Sequence, residues 1–300
     1  MAVTDAILQP YVDAPTLLAA EEELDRLAAR NDELPVPLGD LYDELAHAAA
    51  ADDEYGLAAR LEAKALEAGC RYRFTAREML GWYLLKGGNA EEGEALFREL
   101  LAERPDDADV RITLGHARSD AGLQDAALDA FDDALAAAQR RGFRKEIDRA
   151  RVERRAEREH VGLALDEDDR LAPMPQPRRS GRISWAVAWF PPDEQSSALE
   201  YWPDLAEDLT DPARYARHIE EQLRRLHAGL GHRPAVAPLV VDALLAWAAE
   251  EGYDPAGGDA RSIYAAELNR AGRAIPWPPG RNDPCWCMSG RKYKRCCGSA

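Results

Sequence analysis

The chain has 300 residues, with 38 Lys+Arg set against 55 Asp+Glu for a formal net charge of −17. At ~150 residues per domain this length predicts about two domains with buried cores, and the negative field excludes a protein that coats nucleic acid through its overall charge. No apolar run reaches the ~18 residues needed to span a membrane, and the opening MAVTDAILQPYVDAP has no basic segment ahead of an apolar one, so a cytoplasmic protein is expected.

Residues 14–160 read as nearly uninterrupted helix, rich in Ala, Leu, Glu and Arg. Within them Leu80-Gly81 recurs as Leu114-Gly115, Gly93 as Ala127 and Phe97 as Phe131, each displaced by 34 residues. Gly81, Gly93, Gly115 and Ala127 would let paired helices approach closely. Phe97 and Phe131 would fill the gap between successive pairs, and Gly87-Gly88 and Gly122 would supply the turns. This period resembles the tetratricopeptide repeat. Pro105 matches that family's helix-ending proline, but Gln139 stands there in the second copy, and Arg77 and Arg111 occupy the place where the pattern prefers Trp. Residues 52–69 read as the second helix of a degenerate earlier repeat, with the flanking helices acting as caps. The resemblance implies a groove lined by positions such as Glu78, Trp82, Leu85, Ile112, His116 and Ser119, with Trp82, Ile112 and His116 as candidates for holding a partner's peptide.

Charge is uneven along this region. Residues 1–60 hold fourteen acids and three bases, whereas residues 140–158 hold nine bases and four acids. The basic stretch is expected to be a solvated helix laced with pairs such as Glu153–Arg149 and Glu157–Arg154, or else a docking surface for acidic groups, those of the N-terminal part included. The following segment, 164–182, has an acidic cluster at Asp166, Glu167, Asp168 and Asp169, then prolines and a basic run. It reads as a solvated linker.

RISWAVAWFPP at 182–192 predicts a strand, with Ile183, Trp185, Val187 and Trp189 on one face and apolar residues on the other as well, needing a partner strand that the pattern does not locate. Asp211-Pro212 reads as an N-cap with proline at the first helical position, opening a helix that carries Tyr215, Ile219, Leu223, Leu226 and Leu230 and stops at Gly231. Further helices are expected at 237–251 and from about Asp259 to Gly272. Trp185, Trp189, Trp202 and Trp247 are expected in an aromatic core, with stacking on nucleobases as the alternative. IPWPPGRNDP then leads into the tail as stiff, extended chain.

The tail carries the chemistry. Of five cysteines, Cys285, Cys287, Cys296 and Cys297 fall within thirteen residues, two separated by one residue and two adjacent. Four thiolates at this spacing suit one tetrahedral zinc ion, a closed site with no position for water or substrate and so a structural one. A redox-active Cys296-Cys297 pair is the alternative. Arg291, Lys292, Lys294 and Arg295 offset the net negative charge of such a site and favour thiolates. Residues 280–298 resemble the SEC-C motif, the zinc-binding tail of SecA-type translocase ATPases. The resemblance implies zinc held by the four cysteines and contacts with a secretion chaperone or the ribosome. Two positions depart from the family: Met288 stands where Gly is usual, so a positive φ there would strain it, and Trp286 stands where Pro is frequent.

No phosphate-binding loop, H-E-x-x-H or G-x-S-x-G pattern is present, so no catalytic activity is expected. The expected architecture is mainly α: a tetratricopeptide-like helical array at 1–163, a linker at 164–182, a small, mostly helical α+β domain at 183–279, and a zinc knuckle of four cysteines at 280–300. The expected function is a zinc-binding, non-catalytic adaptor for a protein partner, taken as a peptide in the repeat groove or as an acidic surface at the knuckle, where Arg291, Lys292, Lys294 and Arg295 are the candidate contacts. The alternatives are binding of RNA or DNA through the knuckle and the basic helix, and an enzyme in the central domain.

Overall fold

The computed structural model describes residues 8, 14, 16–30, 37–173, 186–205, 209–230 and 234–299, which fall into two units, Met1–Pro175 and Gln176–Ala300. Helix-favouring composition and short glycine-bearing turns divide the first unit into α1 (Leu17–Arg30), α2 (Leu38–Ala51), α3 (Tyr55–Glu67), α4 (Arg73–Lys86), α5 (Ala90–Glu103), α6 (Ala108–Asp120), α7 (Gln124–Arg141), α8 (Arg144–His160) and the short α9 (Glu167–Leu171). Asp107 caps α6 by accepting the backbone N–H groups of Asp109 and Val110, satisfying donors that the first helical turn leaves unpaired.

The sequence repeat acts through helix spacing. α2 packs on α3, α4 on α5 and α6 on α7. A Cβ placed on Gly81 would sit 2.8 Å from the Phe97 ring, and one on Gly115 would sit 2.7 Å from the Phe131 ring. Both rings are fully buried, each worth roughly 1.5–3 kcal/mol of apolar burial. Phe97 also joins Val110 and Leu114 of the next pair, and Phe131 joins Ala150 of α8, so each ring serves both its own pair and the following helices.

Two expectations for the charged segments are corrected. Arg149, Arg151 and Arg154 of α8 reach across the fold, Arg154 to acids outside its own helix instead of the expected Glu157, while Arg155 and Glu159 form a pair of the expected i,i+4 kind at 2.8 Å. Arg149 pairs with Asp109 at 3.0 Å and Arg151 with Asp168 at 2.8 Å. Glu157 accepts the Ser119 hydroxyl. Nor are the described residues of 164–182 a featureless linker. Asp166 and Asp169 form a reciprocal cap at the start of α9, Asp169 is fully buried, and Arg154 binds Asp132, Asp166 and Asp169 together. Arg158 adds a 3.0 Å contact to Asp169. Three converging carboxylates offset the cost of burying a guanidinium, which a lone ion pair does poorly. Residues 174–182 lie outside the described residues.

The second unit contains β1 (Ala186–Trp189), α10 (Gln195–Tyr201), α11 (Pro212–Leu230), β2 (Ala235–Pro238), α12 (Val241–Glu251), α13 (Gly258–Arg270) and β3 (Ile275–Pro276). The sheet order is β1-β2-β3. β1 and β2 are parallel, with Val187 opposite Val236, and β3 joins β2 antiparallel. The partner strand that the sequence left unplaced is therefore β2, and the helix expected from residue 237 starts at Val241 instead. Glu194 accepts the Val241 N–H at 2.9 Å, capping α12 from a distant loop. The N-cap at Asp211 is present as expected, accepting from Ala213 and Arg214. Ile183, Trp185 and Gly231 lie outside the described residues.

The core of this unit gathers Val187, Trp189, Phe190, Trp202, Leu223, Val236, Tyr264 and Trp277, and it extends into the tail through Cys285, Trp286 and Cys287. Trp247 stacks on Tyr253 with ring centroids 5.2 Å apart.

Candidate metal centre

A small turn-back places the four thiols together. Pro284 and Lys292 form an antiparallel bridge. The Cys285 N–H donates to the Arg291 carbonyl at 2.8 Å, and the Tyr293 N–H donates to the Asp283 carbonyl at 2.9 Å. Between these rungs the chain reverses over Met288, at φ +57°, and Gly290, at φ +72°. The left-handed conformation is free for glycine and unfavourable for methionine, so the strain expected at Met288 is present. After the bridge, the Cys296 N–H donates to the Tyr293 carbonyl at 3.0 Å, which brings the second pair of thiols back to the first.

All four Sγ atoms lie within 4.8 Å of one another, and those of Cys287 and Cys296 are 3.5 Å apart. A tetrahedron with thiolate–zinc arms of ~2.3 Å has edges of about 3.8 Å, so the thiols fit one ion of that size with little rearrangement. Cys285 and Cys287 are buried, Cys296 and Cys297 half-buried, and all four are free. Hydrogen bonding from Cys297, aided by Ser289, lowers the Cys287 thiol from 9.0 to about 4. Burial pushes Cys285 up to about 11, and the bond to Cys287 holds Cys297 far above the ordinary thiol range. A cation held by the four sulfurs would need them as thiolates, so binding would release the protons that Cys285 and Cys297 hold.

Residues 281–299 match the family model of the SEC-C motif. This segment is a SEC-C motif. Protein translocase subunit SecA of Paraburkholderia xenovorans is 35% identical over 104 residues, covering 35% of this chain and 10% of SecA. SecA of Prosthecochloris aestuarii is 45% identical over 56 residues, or 19% of this chain and 5% of SecA. A UPF0225 protein of Geobacter sulfurreducens is 75% identical over 26 residues, or 9% of this chain and 16% of its own. The chain spans a tenth or less of the SecA proteins it matches.

The SEC-C motif is seated in the second unit by residues that sequence reasoning passed over. Trp286, between the first two cysteines, is fully buried and meets Trp189 edge-on at 5.4 Å, a favoured aromatic geometry. Its indole N–H donates to Glu220 Oε2 at 2.8 Å. Trp277 donates to the same oxygen at 3.0 Å, and the Tyr293 hydroxyl donates to Glu220 Oε1 at 2.6 Å. Trp286 was legible only as a departure from the family, and Glu220 carried no sequence signal.

The basic candidates surround this seat. Arg291, Lys292 and Arg295 are exposed and Lys294 is half-buried. Arg291 donates to the Arg295 carbonyl, tying the two halves of the SEC-C loop. The groove candidates lie in the first unit. Ile112 is buried. Trp82 stacks on His116 at 6.2 Å and donates to Asp120. His116 meets Glu153 of α8 at 3.2 Å. The basic helix therefore contacts this face of the array. Cys70 is buried, and burial pushes its thiol up to about 11.

Proposed function

We propose that this is a zinc-binding, non-catalytic adaptor. The observation that carries the reading is the closed set of four thiols, each within reach of one ion, inside a SEC-C motif. Soft thiolate ligands in a four-fold set select zinc among common cellular cations and leave no open coordination position for substrate. The helical pairs of the first unit are read as a tetratricopeptide-like surface for a protein partner, and the tail as a second docking point whose exposed Arg291, Lys292 and Arg295 suit an acidic protein surface. Similarity to SecA favours a secretion-linked role in the cytoplasm.

Two features weigh against the nucleic-acid alternative. The arginines Arg149, Arg151 and Arg154 of α8 are engaged by acids of the same unit, and Trp189 and Trp202 are fully buried rather than offered for base stacking. Affinity capture with the intact chain and with a K292E/R295E variant, each with and without nuclease, tests the reading. The adaptor account expects a protein that survives nuclease and is lost on charge reversal. Retention of RNA or DNA, with salt-sensitive affinity, would replace it.

A further inference from the structure

We propose that Glu220 is the positioning residue of the metal centre: by holding Trp286 and Tyr293 on one buried carboxylate, it sets the spacing between the two halves of the thiol set. The proposal rests on the metal-binding reading above. Glu220 sits on α11, 65 residues before Cys285, and is only 3% exposed. A carboxylate has about four lone-pair sites, and four donors fill them here. The indoles of Trp277 and Trp286 meet Oε2, while the Tyr293 hydroxyl and Arg224 Nε, at 2.6 and 3.1 Å, meet Oε1.

The placement of these donors gives the arrangement its meaning. Trp286 lies between Cys285 and Cys287, and Tyr293 lies three residues before Cys296. Each half of the ligand set is therefore tied to the same side chain. Arg224 adds a third tie, with its Nη2 3.4 Å from the Cys297 carbonyl. Seating of the loop alone could have been achieved with an apolar side chain, which avoids the cost of burying a charge. A carboxylate accepting from both halves fixes direction and distance as well, which is what outer-shell groups do for metal ligands. Loading the metal and ordering the core around Trp189 and Trp286 then become one coupled event.

The test is titration of the reduced full-length chain with cobalt(II), reading the tetrahedral thiolate absorption and the apparent affinity, alongside near-UV circular dichroism of the tryptophans. The variants are E220M, which keeps volume but accepts nothing, E220Q, which keeps an oxygen for the indoles, and Y293F. E220M is expected to weaken cobalt binding about 10–100-fold and to distort the absorption band, as outer-shell losses typically do. E220Q should stay within about threefold of the parent chain, because its amide still accepts from Trp286 and Tyr293 can turn to accept from its NH2 group. If E220M fails to give a folded near-UV signal, Y293F carries the test, with an expected loss of about three- to tenfold. Parental affinity in E220M, or in Y293F where that variant carries the test, overturns the proposal, as does a fall in E220Q as large as in E220M. Failure of the parent chain to bind cobalt at all would overturn the metal reading itself, a result distinguishable from the others.

Discussion

Replacing Met288 with glycine isolates the one place where the SEC-C loop departs from its family in a way that backbone geometry penalises. Met288 sits at φ +57°, and a left-handed conformation costs an L-residue roughly 1–2 kcal/mol. Its side chain is 54% exposed, so little packing is lost on truncation. Glycine gives back about 0.4–1 kcal/mol through the larger entropy of the unfolded chain, leaving a net gain of about 0.5–1 kcal/mol for the ordered loop. Because metal binding and loop ordering are coupled, the gain should appear as about two- to fivefold tighter metal binding. Competition of the reduced chain against a colorimetric chelator measures it, with Met288→Ala as the control that removes the side chain and keeps the strain. An equal gain in the alanine variant, or none in the glycine variant, would refute the assignment of strain to this residue.

Three further outcomes follow from the first unit. Glu62 is fully buried, and burial with the charge of Asp43 raises its carboxyl from 4.5 to about 9. The native state therefore keeps a proton that the unfolded chain releases, and stability falls as pH rises from about 4.5 towards 9. Glu62→Gln should gain little at pH 5 and about 1–3 kcal/mol near pH 8.5, so a difference in Tm that does not change with pH contradicts the argument. Arg154→Met leaves Asp169 buried with Arg158 alone and should cost about 3 kcal/mol in chemical denaturation; a loss within experimental error would mean that the three carboxylates do not depend on it. Gly115→Ala drives a methyl into the Phe131 ring and should cost about 1–3 kcal/mol, recovered in part by pairing it with Phe131→Leu; absence of any recovery would separate the cost from that contact.

What was legible in the sequence was local. The spacing of Cys285, Cys287, Cys296 and Cys297 encodes a turn-back whose geometry is set within a dozen residues, and the strain at Met288 follows from the same short loop. The 34-residue echo of Gly81 with Phe97 and Gly115 with Phe131 was readable because a small residue and a large one compensate each other at fixed spacing. What was missed depends on distant partners. Trp286 looked like a tolerated substitution until Glu220 and Trp189 were found against it. The run Asp166–Asp169 has the composition of a solvated linker, and the distant arginines Arg151, Arg154 and Arg158 hold it against α8 as a capped helix start. β2, reading Ala-Val-Ala-Pro, carries too little β-branching to stand apart from the helix that follows, and its identity comes from pairing with β1.

The central claim is that the four thiols hold one metal ion in a site seated on the second unit. Metal content of the reduced full-length protein, measured by native mass spectrometry beside a Cys285→Ser/Cys296→Ser variant, tests it directly. The account predicts one zinc ion per chain in the parent protein and none in the variant, with the first unit still folded in both. Parent protein that stays metal-free in excess zinc while all four thiols are reduced would contradict it.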